Sequence, residues 1–526
     1  MKVLISDKLP AVAVEILASY PDIDADNKPG LAADELMSII ADYDGIIIRS
    51  GTKLTEDVLE RAVRMKAIAR AGVGVDNVDV RAASRKGIIV MNTPGGNTTS
   101  TAELTVAMIL ALSRNIAAAC ASLKDGNWDR KSFVGNQLSG KTIGIVGLGR
   151  VGIEVARRAM AFEMKVLGYD PYIAPDRAAR LGIELGDLGS ILERADYVTV
   201  HTPMTPETRG LIGAGEIAKM KDGVRIINCA RGGIVDEEAL ADAIEAGKVA
   251  GAAVDVYPEE PPKNRRLIDL PQVVATPHLG ASTEEAQINV ATDAAKQLAD
   301  ALTGRGVRFA LNLPGLEAGE AEALEPYSNL AEKMGSLLRQ LGEGQLEAVR
   351  VCYTGELVEM NVVPVTRSLT AGLLKPVLEE NVNLVNAPVL AEERGIKITE
   401  SRSSVSGDFT TTIEAEMVTD QGEVSVEGTL FGRSDPRIVS INGYHVEVMP
   451  VGDLIVIMNQ DRPGLIGDIG RIVGGGGVNI SSMTFGRKEA GGDAMTVLNL
   501  DARPTDALLD EVRKVGDVAA VLAIQL

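Results

Sequence analysis

One segment, Thr142 to Gly152, restricts this chain to a small set of folds. Its sequence is Thr-Ile-Gly-Ile-Val-Gly-Leu-Gly-Arg-Val-Gly. The apolar first half is typical of a buried strand, and the amphipathic residues after Gly152 predict a helix. Gly147, Gly149 and Gly152 have the G-x-G-x-x-G spacing, in which the glycines permit a tight turn, close approach of a pyrophosphate and close packing of helix on strand. The segment therefore predicts the start of a dinucleotide-binding unit.

An acidic residue after the next strand specifies the nucleotide. Residues 165–169 have the pattern of a second strand and deliver Asp170 about 20 residues after the glycine turn. A carboxylate there accepts hydrogen bonds from the ribose hydroxyls of NAD and repels the 2′-phosphate of NADP. A glycine fingerprint alone is often only a loop. Strand, turn, helix, strand and acid in register predict an NAD site.

Length, charge and cysteine content limit the remaining possibilities. The 526 residues suffice for three or four domains, and the formal net charge of −20 argues against nucleic acid or an anionic membrane as partner. Cys120, Cys229 and Cys352 form no C-x-x-C pair, which favours reduced thiols over a disulfide frame or a metal site. The chain begins directly as a strand, and no apolar run reaches membrane-spanning length. We therefore expect a cytoplasmic protein.

The first 97 residues alternate strand and helix patterns, as parallel α/β domains do. Two loops at predicted strand ends offer ligand groups. One presents Arg49 and Ser50, and the other, residues 71–79, is a glycine-rich nest suited to a carboxylate. An exposed arginine and an ordinary turn are the alternative interpretations. A helix over residues 283–303 and a strand from Ala310 predict that the chain returns to this domain after the dinucleotide unit.

A Pro/Gly crossover at residues 92–97 separates the two units. Ser100 to Glu103 has the capping-box pattern, and the Ala/Leu/Met-rich segment behind it predicts one long buried helix ending near Leu123. The chain's single tryptophan, Trp128, follows it. Together with the next two cations, Arg130 and Lys131, it indicates either a subunit contact or a solvated basic loop.

Polar residues come directly after strand upon strand of the dinucleotide unit, at the sheet edge where open α/β sheets bind ligands. These strand ends are His201-Thr202-Pro203, Asn228 to Gly233, Asp255 to Pro261 and Pro277 to Ala281.

Three of these residues have the chemistry of alcohol oxidation. Removing hydride from an alcohol carbon leaves a proton on oxygen, and histidine is the side chain suited to accept it near neutral pH. We expect His278 to be that base, Glu260 to orient its ring, and Arg231 to hold a substrate carboxylate in a planar fork. The alternative is a buried ion pair with a capping histidine. The other two histidines, His201 and His445, are expected to be structural.

The last segment, from Asp453, follows the order βαββαβ of a ferredoxin-like domain, which often pairs edge to edge with another copy. Between it and residue 316 lie further strand and helix patterns without a catalytic constellation. Five cations there indicate either an anion site or solvated charge: Arg394, Lys397, Arg402, Arg433 and Arg437.

The motifs Gly-Leu-Gly-Arg-Val-Gly, Cys-Ala-Arg-Gly-Gly, Asp-Val-Tyr-Pro-Glu-Glu-Pro and Thr-Pro-His-Leu-Gly-Ala resemble those of the D-isomer-specific 2-hydroxyacid dehydrogenase family. The resemblance implies Arg231 as substrate-binding residue, Glu260 as orienter and His278 as acid/base. It also implies NAD contacts from Gly147, Gly149, Arg150, Val151, Gly152, Asp170, Thr202, Cys229, Ala230, Arg231, Asp255, His278, Gly280 and Ala281. The positions that match substrate-binding residues are Arg49, Ser50, Val73, Gly74, Val75 and Asn97, with Arg231 and His278.

The whole length resembles the long form of this family, which implies a four-part α/β architecture. A Rossmann-type doubly wound cofactor domain (98–280) is inserted in a flavodoxin-like substrate domain (1–97 with 281–315), and an α+β intervening domain (316–452) precedes a ferredoxin-like ACT domain (453–526). The ACT module binds amino acids. Its effector positions match Asp461, Gly464, Leu465, Asn479 and Ile480. Some long-form members carry an aromatic residue where this chain has Asn459.

The resemblance implies NAD-dependent oxidation of 3-phospho-D-glycerate to 3-phosphohydroxypyruvate, the first step of L-serine biosynthesis, in a homotetramer inhibited by L-serine. The phosphate would require cations, with Arg49 and either Arg130 or Lys131 of a neighbouring subunit as candidates. The same catalytic residues would suit a glyoxylate or hydroxypyruvate reductase. A third hypothesis, an NAD-sensing protein like the corepressors that share this fold, is disfavoured by the amino-acid-binding module.

Overall fold

The computed structural model describes residues 1–315, 319–378, 381–405 and 407–526. Its first sheet has five parallel strands in the order β2-β1-β3-β4-β5, the flavodoxin-like arrangement. The strands are β1 (Lys2–Ile5), β2 (Asp24–Asn27), β3 (Gly45–Ile48), β4 (Ala67–Arg70) and β5 (Ile89–Asn92). The helices between them are α1 (Val12–Ala18), α2 (Ala33–Ile39), α3 (Glu56–Arg61) and α4 (Val80–Arg85).

Two helices lead out of this unit, α5 (Thr98–Ser113) and α6 (Ile116–Lys124). The predicted capping box at Ser100 is wrong, because α5 already begins at Thr98 and Ser100 lies in its first turn. The prediction of a single long buried helix is also wrong, because the segment forms two helices. Asn115 adopts the left-handed conformation (φ 54°) and separates α5, which is buried along one side, from α6, none of whose residues is buried.

The second sheet has seven parallel strands in the order β12-β11-β10-β9-β6-β7-β8, which is the Rossmann order with one strand added. The strands are β6 (Thr142–Val146), β7 (Lys165–Tyr169), β8 (Glu184–Leu185), β9 (Tyr197–Val200), β10 (Val224–Asn228), β11 (Val249–Val254) and β12 (Val273–Ala275). The helices are α7 (Arg150–Ala161), α8 (Pro175–Arg180), α9 (Leu188–Arg194), α10 (Ala214–Lys219) and α11 (Glu237–Glu245).

The chain then returns to the first sheet through α12 (Glu284–Leu302), whose alanine-rich face is buried against α1 and strands β3 and β4. The prediction of a strand from Ala310 is wrong, because Ala310 forms only one isolated bridge, to Met91 of β5. The side chain of Asn312 replaces the missing ladder bond, accepting from the N–H of Val90 at 3.0 Å.

A mixed six-stranded sheet follows, in the order β14-β13-β15-β16-β17-β18. Its elements are α13 (Glu320–Leu341), β13 (Leu346–Tyr353), α14 (Val363–Leu374), α15 (Ala387–Glu393), β14 (Lys397–Arg402), β15 (Ile413–Thr419), β16 (Gly422–Phe431), β17 (Asp435–Ile441) and β18 (Tyr444–Val448).

The carboxyl-terminal unit has the predicted βαββαβ order and a four-stranded antiparallel sheet, β20-β21-β19-β22. Its elements are β19 (Asp453–Gln460), α16 (Leu465–Gly475), β20 (Ile480–Arg487), β21 (Asp493–Leu500), α17 (Asp506–Arg513) and β22 (Val518–Gln525). The predicted fold class is therefore confirmed in all four parts.

No single described helix is long and apolar enough to cross a membrane, although α5 and α6 taken together, with a bend of 64°, meet the length and composition required.

Candidate active site

His278 and Glu260 form a hydrogen-bonded pair at the carboxyl ends of neighbouring strands β12 and β11. The Nδ1 of His278 lies 2.7 Å from Oε2 of Glu260, and Oε1 of the same carboxylate accepts the N–H of Tyr257 at 3.2 Å. Burial acts to raise the pKa of Glu260, but the bond and charge of His278, the Tyr257 N–H and the charge of Arg231 together lower it. The carboxylate is therefore ionised near neutral pH and able to orient an imidazole.

The turn that carries His278 is strained and is fixed by Asp255. His278 has a φ of 53°, which is uncommon for any residue but glycine. The carboxylate of Asp255, fully buried, accepts bonds from the N–H groups of Leu279 at 2.7 Å and Gly280 at 2.9 Å, and from the hydroxyl of Thr276 at 2.6 Å. The sequence predicts Asp255 as an NAD contact. In this structure its carboxylate is hydrogen-bonded to the turn that carries His278.

Helix α5 holds the same turn from the other side. The hydroxyls of Ser100 and Thr101 donate to the carbonyl of Gly280 at 2.8 and 3.1 Å. This contact explains why Ser100 does not cap the helix as expected. The crossover helix thus links the first unit to the turn that presents His278.

Arg231 lies between the two lobes. The side-chain amide of Asn228 donates to its carbonyl at 2.9 Å, and its Nη1 donates to the carbonyl of Ala230 at 2.7 Å. From the other lobe Asp76 approaches its Nε at 3.4 Å. A Cβ on Gly74 would lie only 2.0 Å from Nη2 of Arg231, so the absence of a side chain lets the 73–75 loop approach the guanidinium.

A third arginine, Arg70, was missed by the sequence analysis. Burial lowers the pKa of its guanidinium to about 10, as do the charges of Arg231 and Arg49, while Asp76 acts in the opposite direction. Its Nε is buried without a hydrogen-bond partner among the described residues. A buried, incompletely bonded cation indicates a site for an anionic group. The available signal was an arginine ending the apolar strand β4.

The loop carrying Arg49 and Ser50 is fixed through its backbone. Asp7 accepts from the N–H groups of Arg49 at 2.5 Å and Thr52 at 3.1 Å, and Asn77 donates to the carbonyl of Arg49 at 2.7 Å. No hydrogen bond within the described residues engages the Arg49 guanidinium. Ser50 is exposed beside it. The backbone clamp therefore leaves this cation available to a ligand.

Asn97 is the N-cap residue of α5, and its side-chain oxygen is buried without a described partner. Val73 and Val75 flank Gly74 in the loop that touches Arg231, and Val73 has its carbonyl bound by the side chain of Asn92 at 2.6 Å. Of the predicted substrate residues, Arg49, Ser50, Val73, Gly74 and Val75 belong to the first unit and Asn97 to the crossover, and the loop with Gly74 approaches Arg231.

The glycine fingerprint has the form that a pyrophosphate requires. Gly147 has a φ of 97°, and a Cβ there would lie 2.6 Å from the carbonyl oxygen of His201. A Cβ on Gly152 would lie 2.0 Å from the carbonyl oxygen of Gly147, whereas one on Gly149 would meet no heavy atom within 4 Å. The space above Gly149 at the N-terminus of the 12-residue α7 thus fits a phosphate pair.

Two further groups fit NAD. Asp170 holds the fingerprint turn, accepting from the N–H groups of Leu148 and Tyr172, both at 2.8 Å. The hydroxyl of Thr202 is buried without a described partner, as expected for a group that meets a ligand.

The remaining predicted NAD residues lie around these groups. Arg150 and Val151 open α7, Ala230 precedes Arg231, and Ala281 follows the catalytic turn. Cys229 is buried, and burial raises the pKa of its thiol to about 12, with the charge of Asp255 adding to the effect. Only its backbone is therefore placed to meet a cofactor.

The other two histidines, His201 and His445, differ in their surroundings. Although His201 as a whole is only half-buried, burial of its ring lowers its pKa to about 4, and Nε2 lies 3.0 Å from the hydroxyl of Thr199. His445 is exposed on β18, in another unit. Trp128 is 80% exposed, and Arg130 and Lys131 lie on the same exposed loop, with no described contact to the catalytic residues of their own chain.

At the ACT unit, the predicted effector residues are partly engaged by the protein itself. Asp461 accepts from Nη1 of Arg487 at 2.6 Å and from the N–H of Gly491 at 3.1 Å, and these two bonds lower its pKa. Asn479 donates to Asp501 at 2.7 Å. Asn459 is buried, and its side-chain oxygen accepts a hydrogen bond from the hydroxyl of Thr496 on the neighbouring strand β21 at 3.0 Å.

The other predicted effector positions follow these two residues. Gly464 has a φ of 88° at the N-cap of α16, Leu465 is buried in the core and Ile480 begins β20. Three of the five cations in the intervening unit have internal partners among the described residues. Arg394 donates to the carbonyl of Leu390 at 3.1 Å. Arg402 donates to the carbonyls of Val358 and Met360, and Arg437 pairs with Asp435.

Three family models match the chain. They are described as D-isomer specific 2-hydroxyacid dehydrogenase, NAD binding domain (residues 106–280), D-3-phosphoglycerate dehydrogenase intervening domain (323–442) and ACT domain (454–517). The D-3-phosphoglycerate dehydrogenase of Synechocystis sp. is 44% identical over 526 residues, covering 100% of this chain and 95% of that protein. The D-3-phosphoglycerate dehydrogenase of Methanocaldococcus jannaschii is 42% identical over 527 residues, covering 100% of both.

Solved structures resemble the catalytic part. A D-lactate dehydrogenase from Aquifex aeolicus, complexed with NAD and lactic acid, has a TM-score of 0.52 and 28% identity, covering 57% of this chain and 96% of that one. A glyoxylate reductase from Paecilomyes thermophila has a TM-score of 0.55 and 28% identity, covering 59% of this chain and 98% of that one.

Proposed function

This chain belongs to the D-3-phosphoglycerate dehydrogenase family, and we propose that it oxidises 3-phospho-D-glycerate at C2 with NAD, giving 3-phosphohydroxypyruvate, the first step of L-serine biosynthesis. The observation that carries the proposal is the cleft between the two lobes. There, the His278–Glu260 pair and Arg231 lie at the strand ends of an NAD-binding sheet, opposite the Arg49 and Arg70 side of the first unit.

His278 is the base of this reaction. Because Glu260 binds Nδ1, the other ring nitrogen, Nε2, is left to accept the proton of the C2 hydroxyl. Bound NAD supplies the hydride acceptor. Arg231 holds the substrate carboxylate in a planar fork and polarises the C2 oxygen as it becomes a carbonyl. Asp255 keeps the turn, and therefore the ring, in place.

The phosphate of the substrate requires further positive charge. Arg49, with a clamped backbone and an unengaged guanidinium, and the buried Arg70 supply it within one chain. Arg130 or Lys131 of a neighbouring subunit would add to it. These cations make a local positive site in a protein of net charge −20.

Replacing His278 with alanine tests the proposal. Turnover of 3-phosphoglycerate, followed as NADH formation, is expected to fall about 10²–10⁴-fold, the usual contribution of a general base. NAD affinity should change little. The matched control is His445→Ala, an exposed histidine of another unit, which should leave turnover unchanged. Turnover of the His278→Ala variant within a few-fold of the parent would sink the assignment.

A glyoxylate or hydroxypyruvate reductase is the second candidate, since it needs the same base and arginine and a reductase of this kind has the same catalytic fold. Arg70 and Arg49 favour the phosphorylated substrate. Comparing kcat/KM for phosphorylated and unphosphorylated hydroxy acids separates the two. An NAD-sensing binding protein would bind NAD tightly and turn over neither.

L-serine is the proposed effector of the ACT unit. Strand β20 lies at the edge of the ACT sheet, where it is hydrogen-bonded to β21, and the hydroxyl of its Thr484 accepts the N–H of Glu447 on β18 at 3.1 Å. A serine bound between two copies, near Asp461 and Asn479, would stiffen that edge, with coupling of about 1–3 kcal/mol. A flat activity curve in a serine titration into the millimolar range would refute this regulation.

The assembly we propose is a cytoplasmic homotetramer. Helix α6 and the loop behind it leave Ile116, Leu123, Trp128 and Val134 between 53 and 80% exposed, an apolar surface suited to a second subunit. Replacing Ile116 and Leu123 with lysine should lower the mass measured by light scattering. An unchanged mass would remove this surface from the interface.

A further inference from the structure

We propose that Phe309 is a positioning residue for the dinucleotide, because its ring holds the guanidinium of Arg150 over the N-terminus of α7, where the pyrophosphate enters. The two residues belong to opposite lobes. Arg150 is the first residue of α7, and Phe309 lies beside β5 of the first sheet. The proposal rests on the NAD site of the proposed function and extends it to a residue far from the fingerprint in sequence.

Among the described residues, Arg150 has one partner, the ring of Phe309. Its Cζ lies 5.7 Å from the centroid of the Phe309 ring, within the range of a cation–π contact. The side chain is exposed, and no hydrogen bond or ion pair engages it within the described residues. An aromatic ring orients a guanidinium without neutralising it, as a carboxylate would. The full positive charge therefore remains available to the phosphates.

Phe309 is held in an unfavourable conformation. Its φ is 55°, a left-handed value that is rare for bulky residues. Its side chain is 51% exposed, in a chain that has only six phenylalanines. A strained backbone that presents an aromatic ring to solvent is costly for the fold, and such strain concentrates where it serves function.

The backbone around Phe309 fixes the ring relative to the crossover. Its carbonyl accepts the N–H of Asn92 at 3.3 Å, and the next residue, Ala310, bridges to Met91. Asn92 in turn holds the carbonyl of Val73 in the substrate loop at 2.6 Å. The ring that orients Arg150 is therefore tied to the lobe that carries the substrate residues.

The test measures binding of ADP-ribose, which carries the adenosine and pyrophosphate of NAD but no nicotinamide, by titration calorimetry with the full chain. Phe309→Ala is expected to weaken ADP-ribose binding about three- to tenfold. Adenosine, which lacks the pyrophosphate, should compete with NAD as it does for the parent. Leu311→Ala, a neighbouring residue 45% exposed in the same segment, is the matched control and should leave both unchanged.

Further variants distinguish loss of the cation–π contact from loss of folding. Phe309→Tyr retains the ring and should restore parental affinity. Phe309→Asn removes the ring but suits a positive φ, so it separates loss of the contact from loss of folding. In an Arg150→Gln background, Phe309→Ala should cause no additional loss.

Unchanged or tighter ADP-ribose binding by Phe309→Ala and Phe309→Asn would overturn the proposal. An equal loss of adenosine binding would overturn it too, since the effect would then not concern the pyrophosphate. If the parent itself fails to bind ADP-ribose, the NAD site is refuted as well. That result is distinguishable from the others because it requires no variant.

Discussion

Two carboxylates that follow the same strand serve different purposes because their surroundings differ. Asp255 is fully buried and is bonded by three donors of the catalytic turn. The Glu260 side chain, 38% exposed, shares one bond with His278 and one with the Tyr257 backbone. The first carboxylate therefore fixes the backbone of the turn, whereas the second interacts with the imidazole of His278.

His201 makes stability depend on pH. Burial lowers its pKa to about 4, whereas an exposed histidine in the unfolded chain titrates near 6.5. Between these values the unfolded state binds a proton that the folded state does not, so stability falls as pH drops from about 6.5 to about 4. His201→Gln should remove about 1–3 kcal/mol of this pH dependence.

The measurement is the thermal unfolding midpoint of the parent and the His201→Gln variant at pH 7.5, 6 and 5, three chosen values that span the expected titration. The control is His445→Gln, whose ring is exposed. Equal slopes for parent and His201→Gln would contradict the buried, neutral state of this ring.

At the scale of elements, the glycines of the strand–turn–helix unit have two roles. Gly147 permits the backbone conformation of the turn, and Gly149 leaves room for the ligand. Gly147 needs its positive φ of 97° and the absence of a Cβ, because the His201 carbonyl would lie 2.6 Å away. Gly149 has an ordinary φ of −71° and no heavy atom within 4 Å. Only the ligand gives a reason for its lack of a side chain.

Alanine at each position should separate these roles. Gly147→Ala is expected to lower stability by about 1–3 kcal/mol, from strain and steric conflict. Gly149→Ala should unfold within about two degrees of the parent but bind NAD at least tenfold more weakly, because the methyl group occupies the path of the pyrophosphate. Thermal unfolding and NAD titration measure both. Parental NAD affinity in Gly149→Ala would contradict the placement of the pyrophosphate.

At the scale of the whole molecule, the last two units form one body. A single core cluster joins the intervening unit to the ACT sheet, including Leu330 and Met334 of α13 and Val456 and Val497 of the ACT strands. The opposite face of the ACT sheet packs on its own two helices. Packed side chains therefore connect the ACT sheet directly to the intervening unit.

The intervening unit in turn contacts the substrate lobe at its back. Asn383 donates to the carbonyl of Gly87 at 3.0 Å, at the end of α4, and Arg367 donates to the carbonyl of Asn312 at 2.8 Å. Helix α4 begins at Val80, and its N-cap residue Asp79 is the last residue of the 71–79 loop. These two hydrogen bonds connect the intervening unit to the first unit.

The shared core predicts how fragments behave. A fragment of residues 319–526 should be monodisperse and unfold in a single transition. Residues 453–526 alone should bind a hydrophobic dye and aggregate, because the sheet face formed by Leu454, Val456, Met495, Val497 and Ile524 loses its cover. Two separate calorimetric transitions in the longer fragment, or a stable monomeric ACT fragment, would contradict a common core.

The sequence by itself determined the fold class, and it predicted the catalytic roles of Arg231, Glu260 and His278. Glycine spacing, strand periodicity and the polar residue after each strand are local patterns, and parallel strands bring their carboxyl ends to one edge. The substrate and effector residues taken from the family remain predictions. The break at Asn115 was not predicted, because Asn adopts a left-handed conformation only where the surroundings select it.

Tertiary structure alone decided the contacts between distant segments. Arg70 is an ordinary strand residue in sequence, and only the fold brings the charges of Arg49 and Arg231 close to its buried guanidinium. Asp255 as the clamp of the catalytic turn and Phe309 as the partner of Arg150 depend likewise on residues brought together from afar. Local patterns specify backbone conformation. Burial, charge and the identity of a partner depend on neighbours that only folding brings together.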